Sequence, residues 1–221
     1  MTPISEVYNC DCMNYVKGIE DNFFDLVIAD PPYRDMNENA PQKEMREHGD
    51  ISKFGDKPTQ DVIKEFQRVG KHQIIFGANN FGYAFKGFLA WDKSVRGSDR
   101  YSQVEIASID EKLSTVSRLC QISCYDASGK IHPTQKPIEL YGWILDNYAT
   151  KIKSGGGKIK VFDPMMGSGS SRIACYIKGY DFYGCEINEE YYKLAEERFR
   201  KECFGEYKLL NGRTIQQLTL F

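Results

Sequence analysis

The chain has 221 residues, of which 41% are hydrophobic and 27% charged, a composition typical of one soluble globular domain. No stretch approaches the ~18 uninterrupted apolar residues of a membrane span, and no basic and apolar export signal is visible, so we expect a cytoplasmic protein without a membrane partner. Lys and Arg number 29 against 31 Asp and Glu. Because positive and negative charges nearly balance, the chain lacks the strong basic excess of a dedicated nucleic-acid binder. Any attraction to phosphates is therefore confined to local patches.

The seven cysteines are expected to be free thiols, not members of a disulfide framework. Their odd number and the missing export signal argue against disulfide bonds. Cys120 and Cys124 are four residues apart, but no Cys-x-x-Cys or His-x-x-x-His pair lies nearby. We therefore expect no metal site.

The first third of the chain ends in a short buried strand. Residues 26–29 are continuously apolar, which is typical of a strand buried on both faces of a parallel sheet. Pro31 and Pro32 end the strand because neither can donate a backbone hydrogen bond. The polar stretch 34–58 then predicts a mobile loop.

The middle third predicts one helix and three strands. Val62, Phe66 and Val69 recur at helical spacing within 59–69, and we expect them to face inward. Strands are predicted over 73–77, 88–91 and 104–109. A small basic and aromatic loop lies between the last two strands and contains Lys93, Arg96, Arg100 and Tyr101.

The last third gives the clearest pattern. Helices are predicted over 137–148 and 170–178, and strands over 158–162 and 182–187, the second of them containing Glu186. Asn188 is a good N-cap for a final helix, whose basic end (Arg198, Arg200 and Lys201) would match the helix dipole. Strand, glycine-rich loop, helix and strand form a βαβ unit, so the fold class is α/β with a doubly wound sheet.

A glycine bend follows the strand that ends near residue 162. Its glycines, Gly167 and Gly169, would let the backbone approach a ligand closely. Glu186 comes 19 residues after Gly167, at the tip of the next strand, where a carboxylate can accept both hydroxyls of a ribose. Because the pattern is not Gly-x-Gly-x-x-Gly, it favours a nucleoside cofactor without a pyrophosphate.

A second motif, Asp30-Pro31-Pro32-Tyr33, stands at the end of the first buried strand. Ligands of open α/β sheets bind at the carboxyl ends of the strands. The two prolines stiffen the turn and fix the direction of the Pro31 carbonyl. With Asp30 and that carbonyl as acceptors and Tyr33 as a stacking ring, the motif suits a flat ring that carries an amine.

Together the motifs resemble the amino-methyltransferases that modify exocyclic amines of DNA bases with S-adenosylmethionine. The matching residues are Asp-Pro-Pro-Tyr at 30–33 and Phe-Asp-Pro-x-x-Gly-Ser-Gly at 162–169; residues 76–81 and 90–93 resemble phage and prophage members. The resemblance spans about residues 5 to 200. It implies a Rossmann-like, mostly parallel sheet of a class I methyltransferase, DNA as the partner, and a bacterial host cell.

The resemblance also implies roles for individual residues. Asp30, Pro31, Pro32 and Tyr33 would be catalytic. Asp11 would take the amino group of the cofactor's adenine, with Cys12 beside the ring. The His-Pro-Thr-Gln-Lys-Pro element at 132–137 would begin the side of the site that faces the methionine part of the cofactor. The full set implied to bind the cofactor is Asp11, Cys12, His132, Thr134, Lys136, Asp163, Pro164, Gly167, Ser168, Gly169 and Glu186.

The order of the motifs is permuted, with the catalytic tetrapeptide before the glycine bend, and resembles the β group of this family. In that group, Asp at position 30 points to the N6 amine of adenine, whereas Ser would point to the N4 amine of cytosine. The adenine must be flipped out of the duplex to reach the site. We expect one domain over 1–205, target recognition within about 93–130, and a tail over 206–221.

Three peripheral segments suggest further contacts. Loop 34–58 would close over the flipped base or touch DNA. Lys93, Arg96 and Arg100 are candidates for phosphate contacts, although a solvated loop explains them equally. The C-terminal Gln217, Leu218, Leu220 and Phe221 resemble the bacterial motif that docks in the replicative sliding clamp, although a tail packed on its own domain is an equal alternative.

Two other functions stay open at this point. One keeps the chemistry and changes the substrate to the N4 amine of cytosine or to an RNA base. The other is a non-catalytic module that binds DNA or a nucleoside. The presence of Asp30, Tyr33, Asp163 and Glu186 together argues against the module, because binding alone does not need all four.

Overall fold

The computed structural model describes residues 2–33, 57–82, 86–95, 102–125, 129–153, 155–208 and 214–216. Most of the predicted loop 34–58 lies outside these residues, as does the larger part of the basic loop, with Arg96 and Arg100. The predicted docking residues also lie outside them: Gln217, Leu218, Leu220 and Phe221.

The described residues form one eight-stranded sheet with helices against it. The strands are β1 (Ser5–Tyr8), β2 (Phe24–Ala29), β3 (Gly70–Phe76), β4 (Gly87–Asp92), β5 (Val104–Ile109), β6 (Arg118–Gln121), β7 (Lys160–Asp163) and β8 (Asp181–Cys185). The helices are α1 (Cys12–Val16), α2 (Gln60–Val69), α3 (Ile138–Asn147), α4 (Ser170–Lys178) and α5 (Glu189–Phe204). Two 3-10 turns (Ala78–Asn80 and Ala149–Lys151) and an antiparallel pair, β9 (Glu206–Lys208) with β10 (Thr214–Gln216), complete them.

The strands are ordered β1-β8-β7-β2-β3-β5-β4-β6 across the sheet. The first five are parallel to one another, β5 is antiparallel to both of its neighbours, and β4 and β6 are parallel. The mostly parallel α/β sheet predicted from the sequence is confirmed. Its topology brings the carboxyl ends of β2, β7 and β8 together at one edge.

Strand β2 is the centre of the core, and all six of its residues are buried. Leu26 and Ile28 belong to the apolar cluster that includes α3 and α4. Val27 and Ala29 belong to the opposite cluster, which includes α1 and α2. Helices therefore cover both faces of the sheet, which explains why residues 26–29 of the strand are an unbroken apolar run.

Helix α2 differs in one detail from its predicted orientation. Thr59 caps it, and its Oγ1 accepts the backbone N–H of Val62. The buried positions are Ile63, Phe66 and Val69, whereas Val62 is only half-buried and lines a cavity. The inward stripe is thus rotated, because Ile63, three residues before Phe66, also lies on the same face of the helix as Phe66 and Val69.

Two strands of the eight-stranded sheet were missed by the sequence analysis, as was the small pair β9 and β10, and the strand predicted over 182–187 ends earlier than expected. β1 and β6 are the two edge strands, and polar residues and partial exposure hide their apolar signal. β8 ends at Cys185, so that Glu186 lies just beyond the ladder. In the described part of the chain, every helix is too short or too polar to cross a bilayer.

Candidate active site

A cavity of about 320 Å³ opens where β2, β7 and β8 end. Eleven of the residues expected at the site line it: Asp11, Cys12, Asp30, Pro32, His132, Thr134, Lys136, Pro164, Gly167, Ser168 and Glu186. The carboxylate at residue 30 and the glycine bend therefore face a common space. Pro31, Tyr33, Asp163 and Gly169 do not line this cavity.

Asp30 follows the last residue of β2, and both of its carboxylate oxygens accept hydrogen bonds. The Tyr33 hydroxyl donates to Oδ1 at 2.8 Å, and the Lys136 ammonium donates to Oδ2 at 2.6 Å. Burial raises the pKa of Asp30, while the charge of Lys136 acts in the opposite direction. An amine that binds to Asp30 must share or replace one of these donors.

Lys136 is buried between two carboxylates and a wall of aromatic rings. Its Nζ lies 2.6 Å from Asp30 Oδ2 and 3.1 Å from Glu105 Oε2, and 4.7 Å from the centroid of the Phe76 ring. Burial alone would lower the pKa of Lys136, but the two carboxylates raise it above its usual value. The side chain is therefore a permanent cation at neutral pH.

Glu105 is a site residue that the sequence analysis did not single out. It lies on β5, paired with Trp91 of β4. Its Oε1 accepts from Lys93 at 2.8 Å, and its Oε2 accepts from Tyr33 at 3.1 Å. Burial opposes ionisation, but Lys136 and Lys93 lower the pKa of Glu105 to about 2. No motif marks this glutamate, because its role comes from the pairing of distant strands.

Lys93 was expected to contact DNA phosphates. Its side chain is 15% exposed and forms an ion pair with Glu105. A phosphate contact would have to compete with that pair. The contact stays a prediction.

The glycine bend is tied to Glu186 by hydrogen bonds. Gly167 and Gly169 have φ angles of +50° and +73°, a region that favours glycine. Glu186 Oε2 accepts the backbone N–H of Gly167 at 2.9 Å, and Oε1 accepts that of Asn188 at 2.8 Å. Burial raises the pKa of Glu186, and these backbone donors oppose the shift. A carboxylate has about four acceptor positions, so hydroxyls can bind there as well.

Asp163 supports the bend from below and is 1% exposed. Its Oδ1 accepts the backbone N–H of Met165 at 3.0 Å, and its Oδ2 accepts the Ser171 hydroxyl. Burial raises the pKa of Asp163 to about 7. Its contacts hold the bend onto α4.

Arg198 corrects one expectation from the sequence. The residue was expected to complement the dipole at the end of a helix, but it lies inward, on the buried face of α5 with Tyr191 and Ala195. Its Nη1 donates to the Ser168 carbonyl at 3.0 Å and to the Ser170 Oγ at 2.8 Å. The Arg198 guanidinium therefore stabilises the glycine bend through these hydrogen bonds.

The same Ser170 hydroxyl donates to the Lys136 carbonyl at 2.6 Å. Ser170 is the first residue of α4, and Lys136 precedes α3. One hydroxyl thus joins the glycine bend to the His-Pro-Thr-Gln-Lys element. The two sides of the cavity are held in a fixed relation.

The wall beside the bend contains Asp11 and His132. Asp11 caps α1, and its Oδ1 accepts the backbone N–H of Met13 at 2.6 Å. The His132 ring packs edge-on against Tyr191, with 4.4 Å between the centroids. Burial, reinforced by the charge of Lys136, lowers the pKa of His132 to about 4, so the imidazole is neutral at pH 7.

Other lining residues escaped the sequence analysis because they come from distant elements. They include Lys57, Thr59 and Val62 at the start of α2, Tyr141 of α3, Tyr191 of α5, and the apolar Met165, Met166 and Ile187. The last three are the exception: Met165 and Met166 are the two variable positions of the motif at 162–169, and Ile187 directly follows Glu186.

The lining combines apolar surface with polar acceptors, a pattern that suits a nucleoside. Met166 and Ile187 offer apolar surface to a ring or a thioether, whereas Asp11 and Glu186 offer acceptors to amino and hydroxyl groups. Among the described residues, no group of three or more His, Cys, Asp or Glu side chains is arranged to hold a metal ion.

Comparisons with known proteins find similarity to DNA methyltransferases. Residues 90–197 match the N6/N4 methyltransferase family model, described as DNA methylase. The chain is 22% identical to the type II methyltransferase M.HpaI of Haemophilus parainfluenzae, over 88% of this chain and 74% of that protein. It is 20% identical to M2.MboI of Moraxella bovis, over 88% and 87%.

Solved structures share the fold. The complex of M1.HpyAVI with SAM has a TM-score of 0.56 at 20% identity, covering 87% of this chain and 98% of that one. The cytosine-N4-specific PvuII DNA methyltransferase has a TM-score of 0.58 at 13% identity, covering 96% and 95%. The chain is therefore similar to N6/N4 DNA methyltransferases in sequence and in fold.

Proposed function

We propose that this protein transfers the methyl group of S-adenosylmethionine to the N6 amine of an adenine flipped out of DNA. The observation that carries the proposal is that Asp30 and the glycine bend with Glu186 line one cavity at the carboxyl edge of neighbouring strands. An acceptor for an amine and a seat for a nucleoside donor therefore meet in the same space.

In this proposal, Glu186 binds the ribose hydroxyls of the cofactor. Asp11 accepts the adenine amino group through the oxygen that does not cap α1, and Cys12 lies beside the ring. His132, Thr134 and Lys136 form the side toward the methionine. When bound, S-adenosylmethionine supplies a methyl group on a sulfonium, a leaving group that needs no further activation.

The chain's own contribution to transfer is to make an unreactive amine a nucleophile. The lone pair of an exocyclic amine is delocalised into the purine. Asp30 and the Pro31 carbonyl accept its N–H bonds, and so favour a tetrahedral nitrogen and stabilise the positive charge that develops there. Asp30 need not be a strong base, because the proton can leave after transfer.

Tyr33 orients the substrate ring in this mechanism. Its hydroxyl lies within hydrogen-bond distance of both Asp30 and Glu105, beside the diproline turn, and these contacts hold the side chain in place. A fixed ring can stack on a flat base and limit its orientation, which is a positioning contribution to the rate.

The same site supports a second candidate, methylation of the N4 amine of cytosine. One neighbour in fold, PvuII methyltransferase, is cytosine-N4-specific. Asp30 at the first position of the tetrapeptide favours adenine by resemblance to the family. Both bases present a flat ring with an exocyclic amine.

The deciding experiment is transfer of a tritium-labelled methyl group from the cofactor to DNA, followed by digestion to nucleosides. Label in N6-methyldeoxyadenosine supports the leading proposal, and label in N4-methyldeoxycytidine supports the second candidate. A parallel reaction on RNA tests an RNA base as the substrate. Cofactor binding without methyl transfer to DNA or RNA would support the non-catalytic binding module instead.

For the organisation of the chain, we propose a methyltransferase domain over 1–205 with a tail over 206–221. Loop 34–58 would close on the base, and 93–130, with Lys93, would contribute to target recognition. The tail would tether the enzyme to the sliding clamp and raise its concentration on DNA. Deleting 217–221 should abolish clamp binding; equal binding by both forms would reject the tether.

A further inference from the structure

The donors that occupy Asp30 share a second acceptor. Asp30 Oδ2 receives the Lys136 ammonium and Oδ1 receives the Tyr33 hydroxyl. Glu105 Oε2 lies 3.1 Å from each of these two donor atoms. A single oxygen on β5 can therefore accept both groups that now engage the catalytic carboxylate.

This arrangement conflicts with catalysis unless the donors can move. A substrate amine needs the oxygens of Asp30 as acceptors, and the amine gains positive charge during transfer. The Lys136 ammonium at 2.6 Å from Oδ2 neutralises Asp30 and would repel that developing charge. Tyr33 has only one hydroxyl hydrogen, so it cannot donate fully to Asp30 and Glu105 together.

Lys136 cannot simply leave the site, because it is 5% exposed and a buried cation without a partner is strongly unfavourable. Glu105 removes that penalty. Lys93 donates to its Oε1 at 2.8 Å and fixes the side chain, while Oε2 stays directed at Lys136 and Tyr33. A small movement of the Lys136 Nζ can therefore exchange Asp30 for Glu105 as its main partner. The buried charge keeps a carboxylate beside it throughout.

We propose that Glu105 is a positioning residue that takes over Lys136 and the Tyr33 hydroxyl when the substrate amine binds to Asp30. The inference rests on the proposed function and adds a residue to it. Glu105 does not touch the base; it acts by withdrawing two competing donors from the catalytic carboxylate.

The test is the single-turnover rate of methyl transfer to DNA by Glu105→Gln at saturating cofactor and DNA. The amide removes the charge that attracts Lys136, so Lys136 stays on Asp30. We expect the rate to fall about 10- to 100-fold, the range for one charge-assisted hydrogen bond that matters only in the transition state. The dissociation constant for the cofactor should change less than about twofold, since Glu105 does not line the cavity.

Two further variants interpret the result. Glu111→Gln removes a half-exposed carboxylate that pairs with Lys86 at the surface, and it should transfer at the wild-type rate. Glu105→Asp keeps the charge on a shorter side chain, and its rate should lie between those of wild type and Glu105→Gln. If Glu105→Gln does not fold, as judged by circular dichroism, Glu105→Asp carries the test.

The outcomes separate this inference from the proposed function. A wild-type protein that transfers no methyl group refutes the proposed function. An active wild type with an equally fast Glu105→Gln, or an equally fast Glu105→Asp where only that variant folds, overturns the positioning role alone. A Glu105→Gln defect found only in cofactor affinity, with an unchanged saturated rate, also overturns it.

Discussion

The backbone N–H of Gly167 donates to Glu186 Oε2 at 2.9 Å, which joins the bend after β7 to the end of β8. The carboxylate expected to bind a ribose is therefore also part of the loop that surrounds it. Its second oxygen accepts the N–H of Asn188 at the start of α5. The acceptor is oriented before any ligand arrives, so little conformational entropy is lost when one binds.

Replacing Asp30 by Ala should abolish methyl transfer and leave cofactor binding largely intact. The variant loses the acceptor that stabilises charge on the amine, for which a loss of at least about 100-fold is expected. Lys136 keeps Glu105 as a partner, so the fold should persist. Transfer is measured with labelled cofactor and binding by calorimetry. Asp61→Ala, at an exposed position of α2, is the control, and unchanged turnover in Asp30→Ala would reject the assignment.

Glu186→Gln should weaken cofactor binding about 10- to 100-fold, the range for loss of a charged hydrogen-bond acceptor. The amide can keep one backbone donor, but its NH₂ group would face the N–H of either Gly167 or Asn188. Calorimetric titration with the cofactor measures the effect. Glu189→Gln, three residues later on the exposed start of α5, is the matched control. Equal affinities in both variants would contradict a role for Glu186 in binding.

The sheet and the two motifs were predictable because their signals are local. Residues 26–29 of β2 are an apolar run that is followed closely by two prolines, and α4 begins directly after the last glycine of the bend. Such signals need no knowledge of the partner strands. Edge strands such as β6 carry no such signal, because only part of their surface is buried.

The interior of the site was less predictable, since it depends on pairings between distant segments. Glu105 and Arg198 look like surface charges in the sequence, yet the fold buries Arg198 and leaves the Glu105 side chain only 20% exposed, both beside the site. Their burial follows from the register of β5 with β4 and from the face that α5 turns inward. Neither is determined by neighbouring residues alone.

Burial of Asp163 should make stability fall as pH rises. Its pKa is about 7 in the folded protein, above the ordinary value of 3.8. Between these values the folded state binds more protons than the unfolded state, so the free energy of unfolding decreases with pH, by up to about 1.4 kcal/mol per unit.

Asp163→Asn removes this titration and keeps an oxygen for the Met165 N–H. The unfolding free energy of the variant relative to wild type should therefore increase from about pH 4 to pH 7 and level off above. Urea unfolding of both proteins at several pH values measures the difference. The comparison cancels the opposite contribution of His132, whose pKa is lowered to about 4. A difference that does not change with pH would contradict the prediction.

Arg198→Met should destabilise the glycine bend while retaining most of the buried side-chain volume. The variant leaves the Ser168 carbonyl and the Ser170 hydroxyl without their cationic donor, for a cost of about 2–3 kcal/mol in unfolding free energy. Because Ser170 also donates to the Lys136 carbonyl, cofactor affinity should fall together with stability.

Arg200→Met is the matched control, because Arg200 lies two residues later on the same helix and is exposed. Chemical unfolding and calorimetric binding of the two variants are compared with wild type. The Arg200 variant should keep both properties within about 0.5 kcal/mol, as is usual for surface positions. If Arg198→Met matches it in both measurements, Arg198 only fills space beneath the bend, and its charge does not organise the site.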